Sequence, residues 1–161
     1  MIVVSNTTPI LSLYKIGRLG LLERLFGRVF VPVAVYDEIS ILGKGKPGHE
    51  AIDSLDYIRV GHVQNTLAVK LLRSQLDYGE AEAIVLAREL EADILMLDEK
   101  KARKVAQAGF QRVSGTLGIL QMAKDKGFIP DMRSELDALI AHDIWIDRKL
   151  YQTVLAGNQE G

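Results

Sequence analysis

Short apolar runs alternate with helix-patterned stretches along the whole chain, and this alternation restricts the possible fold most tightly. Met1–Ser5, Arg28–Val31, Tyr57–Val60, Asp93–Leu97 and Gln111–Val113 read as strands. Each is short, bounded by turn residues and largely apolar, as buried strands are. Between them, Leu11, Leu13, Ile16, Leu19, Leu22 and Leu25 recur near helical spacing, with a break at Gly17. Thr8 is placed to cap that helix ahead of Pro9. Val35, Ile39 and Leu42 share one helical face. Further helical patterns cover Glu50–Leu55, Leu67–Leu76, Glu80–Leu90, Lys100–Ala108, Leu117–Lys126, Pro130–Ile140 and Trp145–Leu155. Strands separated by helices predict an α/β fold with a central, mainly parallel sheet of about five strands. Residues 1–156 are expected to form one domain, with 157–161 a frayed tail. The GKGKPG loop at Gly43–Gly48 is too short to divide the chain.

The totals remove several functional classes. A formal charge of −1 gives no global pull toward nucleic acid or acidic membranes, so any such contact needs a local basic patch. The chain has no cysteine, which removes disulfides and thiolate metal sites. MIVVSNTTP lacks a basic leader and turns polar after four residues, unlike a signal peptide. No apolar run approaches the roughly 18 residues that span a bilayer. A cytoplasmic protein with no membrane partner is expected. His49, His62 and His142 stand apart without metal-ligand spacing.

Four acidic or amide residues fall just past strand ends or at helix starts: Asn6, Glu38, Glu82 and Asp98. Strand ends of an α/β sheet gather at one edge, where ligands bind. Carboxylates meeting there without a base between them suit a hard cation held by oxygen ligands. Glu80, two residues before Glu82, lies in the first helical turn and is a second candidate there. Glu99 is the alternative to Asp98 if the local register shifts by one. Each also has a structural reading: acidic groups complement helix N-termini, and Asp98 can cap the KKARKVA helix.

The phrases that carry these residues occur in the order VVSNTTPILSL, LLERLFGRVFVPVAVYDEI, LDYGEAEAIVLARELEADILMLDEKKARKVA and VSGTLGILQMAKDKGFI. In that order they resemble the PIN-domain family, and most nearly its VapC-like branch of small prokaryotic proteins, from Ile2 to about Ile129. The resemblance implies a three-layer α/β/α fold and an endoribonuclease dependent on Mg²⁺ or Mn²⁺. It further implies RNA, single-stranded or structured, as substrate, a small antitoxin protein as partner, and a homodimer. Glu38, Glu82 and Asp98 match the second to fourth acidic positions of the family pattern, with Asn6 at the first. The implied catalytic set is Asn6, Glu38, Glu82 and Asp98, and the metal set adds Glu80 and Glu99. Asn6 departs from the pattern, which has aspartate there. Asparagine keeps a carbonyl oxygen for a hard cation but lacks the charge that draws it.

Thr7 and Thr8 are placed to orient a phosphate or a metal-bound water, or to cap a helix. Lys100, Lys101, Arg103 and Lys104 follow Asp98 and suit a phosphate backbone as well as a solvated helix face. Lys44 and Lys46 in the glycine loop are further basic candidates. Leu13, Tyr14, Leu21 and Leu22 are candidates for a subunit interface. Three functions compete: a metal-dependent endoribonuclease toxin, a non-catalytic PIN-like protein binding RNA or protein, and a nucleotide-binding module. The last has the sheet behind it but no GxxxxGK[ST] loop.

Overall fold

Two valines at the start of the chain set the layering. In a strand successive side chains point to opposite faces. Val3 accordingly packs into one apolar cluster and Val4 into another, as do Ile94 and Leu95. The computed structural model describes residues 1–43, 55–109 and 112–161. The strands are β1 (Val3–Ser5), β2 (Val29–Pro32), β3 (Ile58–Gly61), β4 (Ile94–Met96) and β5 (Val113–Ser114). They form one parallel sheet in the order β3-β2-β1-β4-β5. β1 and β4 run side by side, with Val3 opposite Ile94 and Ser5 opposite Met96. Both are buried at every residue, whereas edge strand β3 exposes Arg59 and Val60.

Among the described residues the helices are α1 (Thr7–Lys15), α2 (Leu21–Phe26), α3 (Val33–Gly43), α4 (Thr66–Leu72), α5 (Tyr78–Glu89), α6 (Lys100–Gln107), α7 (Thr116–Asp125), α8 (Met132–Ala141) and α9 (Arg148–Gly157). Ile10, Leu13, Leu22, Ile119, Leu120, Met132, Leu136 and Leu155 cover one face of the sheet with Val3, Val29 and Met96. Ile84, Leu86, Ala87, Ala102 and Ala106 cover the other with Val4, Leu95 and Leu97. The architecture is therefore a three-layer α/β/α sandwich around a five-stranded parallel sheet.

Several expectations change at the element ends. α1 begins at Thr7, so Thr8 is not its cap. The Asn6 N–H donates to the Met96 carbonyl at 3.0 Å, which holds Asn6 in the sheet until the helix starts. Pro9 is tolerated at the third helical position because first-turn N–H groups lack helical partners. The expected break falls at Gly17, which has φ +71°, a conformation glycine adopts without steric cost. Trp145 lies outside α9 and is 83% exposed. Glu160 accepts from the backbone N–H groups of Met132 and Arg133, both at 2.9 Å, and its carbonyl accepts from the Arg133 guanidinium at 2.7 Å. The Glu160 carboxylate thereby complements the open N–H groups at the start of α8. Leu13, Leu21 and Leu22 are not interface residues, since all three are buried in the core of this one chain. Lys44, Lys46, His49, most of Glu50–Leu55 and Gln111 lie outside the described residues. No described helix is long and apolar enough to cross a membrane.

Candidate active site

The sheet order creates a crevice at one place. From β1 the chain crosses through α1 and α2 to β2 on one side. From β4 it crosses through α6 to β5 on the other. The two connections leave in opposite directions, and ligands of open α/β sheets bind at such a switch point, outside the strand C-termini. Asn6 follows β1 directly and Asp98 stands two residues beyond β4. α3 starts just after β2, and Gly115 and Thr116 follow β5.

On the β1 side, Asn6 is 6% exposed. It occupies the N-cap position of α1, yet its side chain makes no capping bond. Its Oδ1 is buried and accepts no hydrogen bond from any described residue. Leaving a buried acceptor unpaired costs about 1–3 kcal/mol. The adjacent Thr7 hydroxyl donates to Glu38 Oε2 at 3.0 Å, tying α1 to α3. Gly79, in the first turn of α5, completes the hollow. A Cβ on Gly79 would lie 3.1 Å from Glu38 Oε2 and 3.2 Å from Asn6 Oδ1. The two oxygens thus face one small space that a side chain at position 79 would fill.

On the β4 side, Asp98 is fixed by one residue. Its Oδ1 accepts from the Thr116 N–H and its Oδ2 from the Thr116 hydroxyl, both at 2.6 Å. Asp98 therefore caps α7, not the helix that follows it. Glu99 occupies the N-cap of α6, exposed and without a capping bond. Gly115 permits this approach, because a Cβ there would sit 2.5 Å from Asp98 Oδ1 and 3.1 Å from Arg103 Nη1.

The remaining acidic candidates do structural work. Glu82 Oε1 accepts from the Ala34 N–H at 2.9 Å, at the start of α3. Glu80 and Asp77 form a reciprocal capping box at the start of α5. Burial pushes the Glu80 carboxyl above the usual carboxylate range. The Asp77 backbone bond opposes that rise, and the negative charges of Asp77 and Glu99 add to it. Thr8, Lys100, Lys101 and Lys104 are exposed. None of these four side chains has a hydrogen bond or ion pair among the described residues.

The structure thus brings Asn6, Thr7 and Glu38 into one hollow. It sets Asp98 with Thr116 at the same sheet edge and gives Glu82 and Glu80 to helix starts. Among the described residues no three histidine, cysteine or acidic side chains form a group that could hold a metal. Sequence reasoning missed Thr116, Gly115 and Gly79, and it singled out the lysines of α6 ahead of Arg103. The capping box was legible as Asp77-x-x-Glu80; the two close approaches at glycine had no local signal.

No curated protein matches the chain. The family model DUF3368, described as a PIN domain, matches residues 2–160, from the edge of β1 to the Glu160 that closes α8. The chain belongs to the PIN-domain family.

Proposed function

We propose that the protein is a metal-dependent endoribonuclease, the toxin of a VapC-like toxin–antitoxin pair. The observation that supports this most is the buried, unpaired Oδ1 of Asn6 facing the same hollow as Glu38 Oε2. An all-oxygen donor pair fits a small hard cation, since Mg²⁺ needs one or two carboxylates and takes its other ligands from water and phosphate. Asn6 and Glu38 would hold the ion. Bound there, Mg²⁺ or Mn²⁺ supplies Lewis acidity and lowers the pKa of water. Thr7 keeps Glu38 Oε2 directed into the hollow. Thr116 holds the Asp98 carboxylate in one orientation beside the crevice. The net reaction adds water to a backbone phosphate and expels the 3′-oxygen, leaving a 5′-phosphate and a 3′-hydroxyl. A cytoplasmic setting, a small antitoxin and a homodimer belong to the same reading.

The test is cleavage of a mixed single-stranded RNA pool in Mn²⁺, with Glu38→Gln as the blank. Cleavage above the blank supports the nuclease. A second reading, a non-catalytic PIN domain that binds RNA or a protein, is favoured by asparagine at position 6 and by Glu82 serving α3. RNA binding without cleavage above the blank selects it.

A further inference from the structure

The cation that the fold brings to the crevice is Arg103, not the three neighbouring lysines. On α6, Ala102 and Ala106 face the core, and Arg103 is half-buried beside them. Its Nη1 and Asp98 Oδ1 approach the same point above Gly115, a point that also lies 3.3 Å from the Leu97 carbonyl. Despite this proximity, Arg103 and Asp98 form no ion pair, and both Asp98 oxygens are engaged by Thr116. Arg103 has no hydrogen-bond or ion-pair partner for its side chain among the described residues. Other arginines are placed differently. Arg18 pairs with Glu135, Arg133 donates to Glu160, and Arg24, Arg28 and Arg73 lie over aromatic rings. A half-buried guanidinium at the edge of the crevice therefore presents its donors to whatever enters.

We propose that Arg103 is the phosphate-positioning residue of the crevice, its guanidinium taking a non-bridging oxygen of an RNA backbone phosphate above the Gly115 notch, next to Asp98. The proposal rests on the RNA-substrate reading above. Guanidinium suits this task because its planar fork matches a phosphate with two parallel hydrogen bonds. The missing Cβ at position 115 is what lets Asp98 Oδ1 and Arg103 Nη1 both lie close above that backbone. The positive charge also offsets repulsion between the incoming phosphate and the Asp98 carboxylate, which an unassisted strand would meet at close range.

The experiment measures binding of a fluorescent single-stranded RNA by anisotropy in EDTA, across a series of KCl concentrations. Wild type is compared with Arg103→Ala, Arg103→Lys and Lys126→Ala, the last at the far end of α7. Arg103→Ala is expected to weaken binding about tenfold and to reduce the salt slope by about 0.7, the value of one phosphate contact on a single strand. Arg103→Lys keeps the slope and loses part of the affinity. Lys126→Ala changes neither. The melting temperature of Arg103→Ala stays within a few degrees of wild type, because the guanidinium makes no hydrogen bond or ion pair among the described residues. Wild-type affinity and slope in Arg103→Ala would overturn the proposal while leaving the nuclease reading intact. Failure of wild type itself to bind RNA under these conditions would overturn the proposal, while cleavage in Mn²⁺ separately decides the nuclease reading.

Discussion

Thr116 holds Asp98 by both carboxylate oxygens, N–H to Oδ1 and hydroxyl to Oδ2, each at 2.6 Å. One residue at the start of α7 thereby sets the orientation of a carboxylate that lies 18 positions earlier in the chain. Hydrogen bonds to charged groups contribute about 1.5–3 kcal/mol. Thr116→Val keeps the shape and the N–H but removes the hydroxyl. It should cost about 1.5 kcal/mol, seen as a melting temperature lower by roughly 5 °C. Thr116→Ser should recover most of the loss. Equal melting points for Val and Ser variants would show that the hydroxyl bond contributes nothing.

Two glycines border the crevice, and they should respond differently to alanine. At Gly115 the new Cβ meets Asp98 Oδ1 at 2.5 Å and the Leu97 backbone carbonyl at 3.3 Å. Asp98 must shift, with overpacking costs of about 1–3 kcal/mol. At Gly79 the nearest atoms are side-chain ends at 3.1 and 3.2 Å, which can yield slightly. Urea unfolding should find Gly115→Ala clearly destabilised and Gly79→Ala nearly neutral. The Mn²⁺-dependent rise in melting temperature should nonetheless shrink in Gly79→Ala, because its methyl enters the hollow. A full Mn²⁺ response there would place the ion elsewhere.

Asn6→Asp is nearly isosteric and adds a carboxylate beside Glu38 Oε2. Like charges at that range disfavour each other. In EDTA at neutral pH the variant should melt below wild type. In millimolar Mn²⁺ it should gain more than wild type does, since the ion relieves the repulsion and binding to the folded state stabilises it. Tenfold tighter binding corresponds to about 1.4 kcal/mol of extra stabilisation at saturating metal. Identical Mn²⁺ responses in the two proteins would remove position 6 from the ligand set.

Asp131 caps α8 by accepting from the Ser134 N–H at 2.7 Å, and this bond holds its carboxyl below the usual carboxylate range. A depressed native pKa means that the ionised form is favoured by folding. Its contribution is complete above the unfolded value of about 3.9 and disappears as pH falls through the lower native value. Asp131→Ala should therefore melt below wild type at pH 7. The gap should narrow below about pH 3.9. A gap unchanged down to the most acidic pH at which the chain still folds would show that the charge is irrelevant.

The layers were legible because they follow from local rules. Short apolar runs such as DILML cannot be solvated, and Val3 and Val4 must part to opposite faces once they form a strand. The helical pattern over Lys100–Ala108 likewise gave α6, found over Lys100–Gln107. Strand ends in a parallel sheet share an edge, so Asn6 and Asp98 could be assigned to one rim from sequence order alone. What periodicity supplies is the face of an element; distance to another element is outside its reach. Tertiary packing decided that Thr7 meets Glu38, that Glu82 serves Ala34, and that Thr116 occupies both oxygens of Asp98. It also turned Arg103 toward the crevice and left Lys100, Lys101 and Lys104 in solvent. The physical reason is the same in each case. These contacts depend on ångström-scale approaches between separate segments, and the approaches at Gly79 and Gly115 exist because a side chain is missing there.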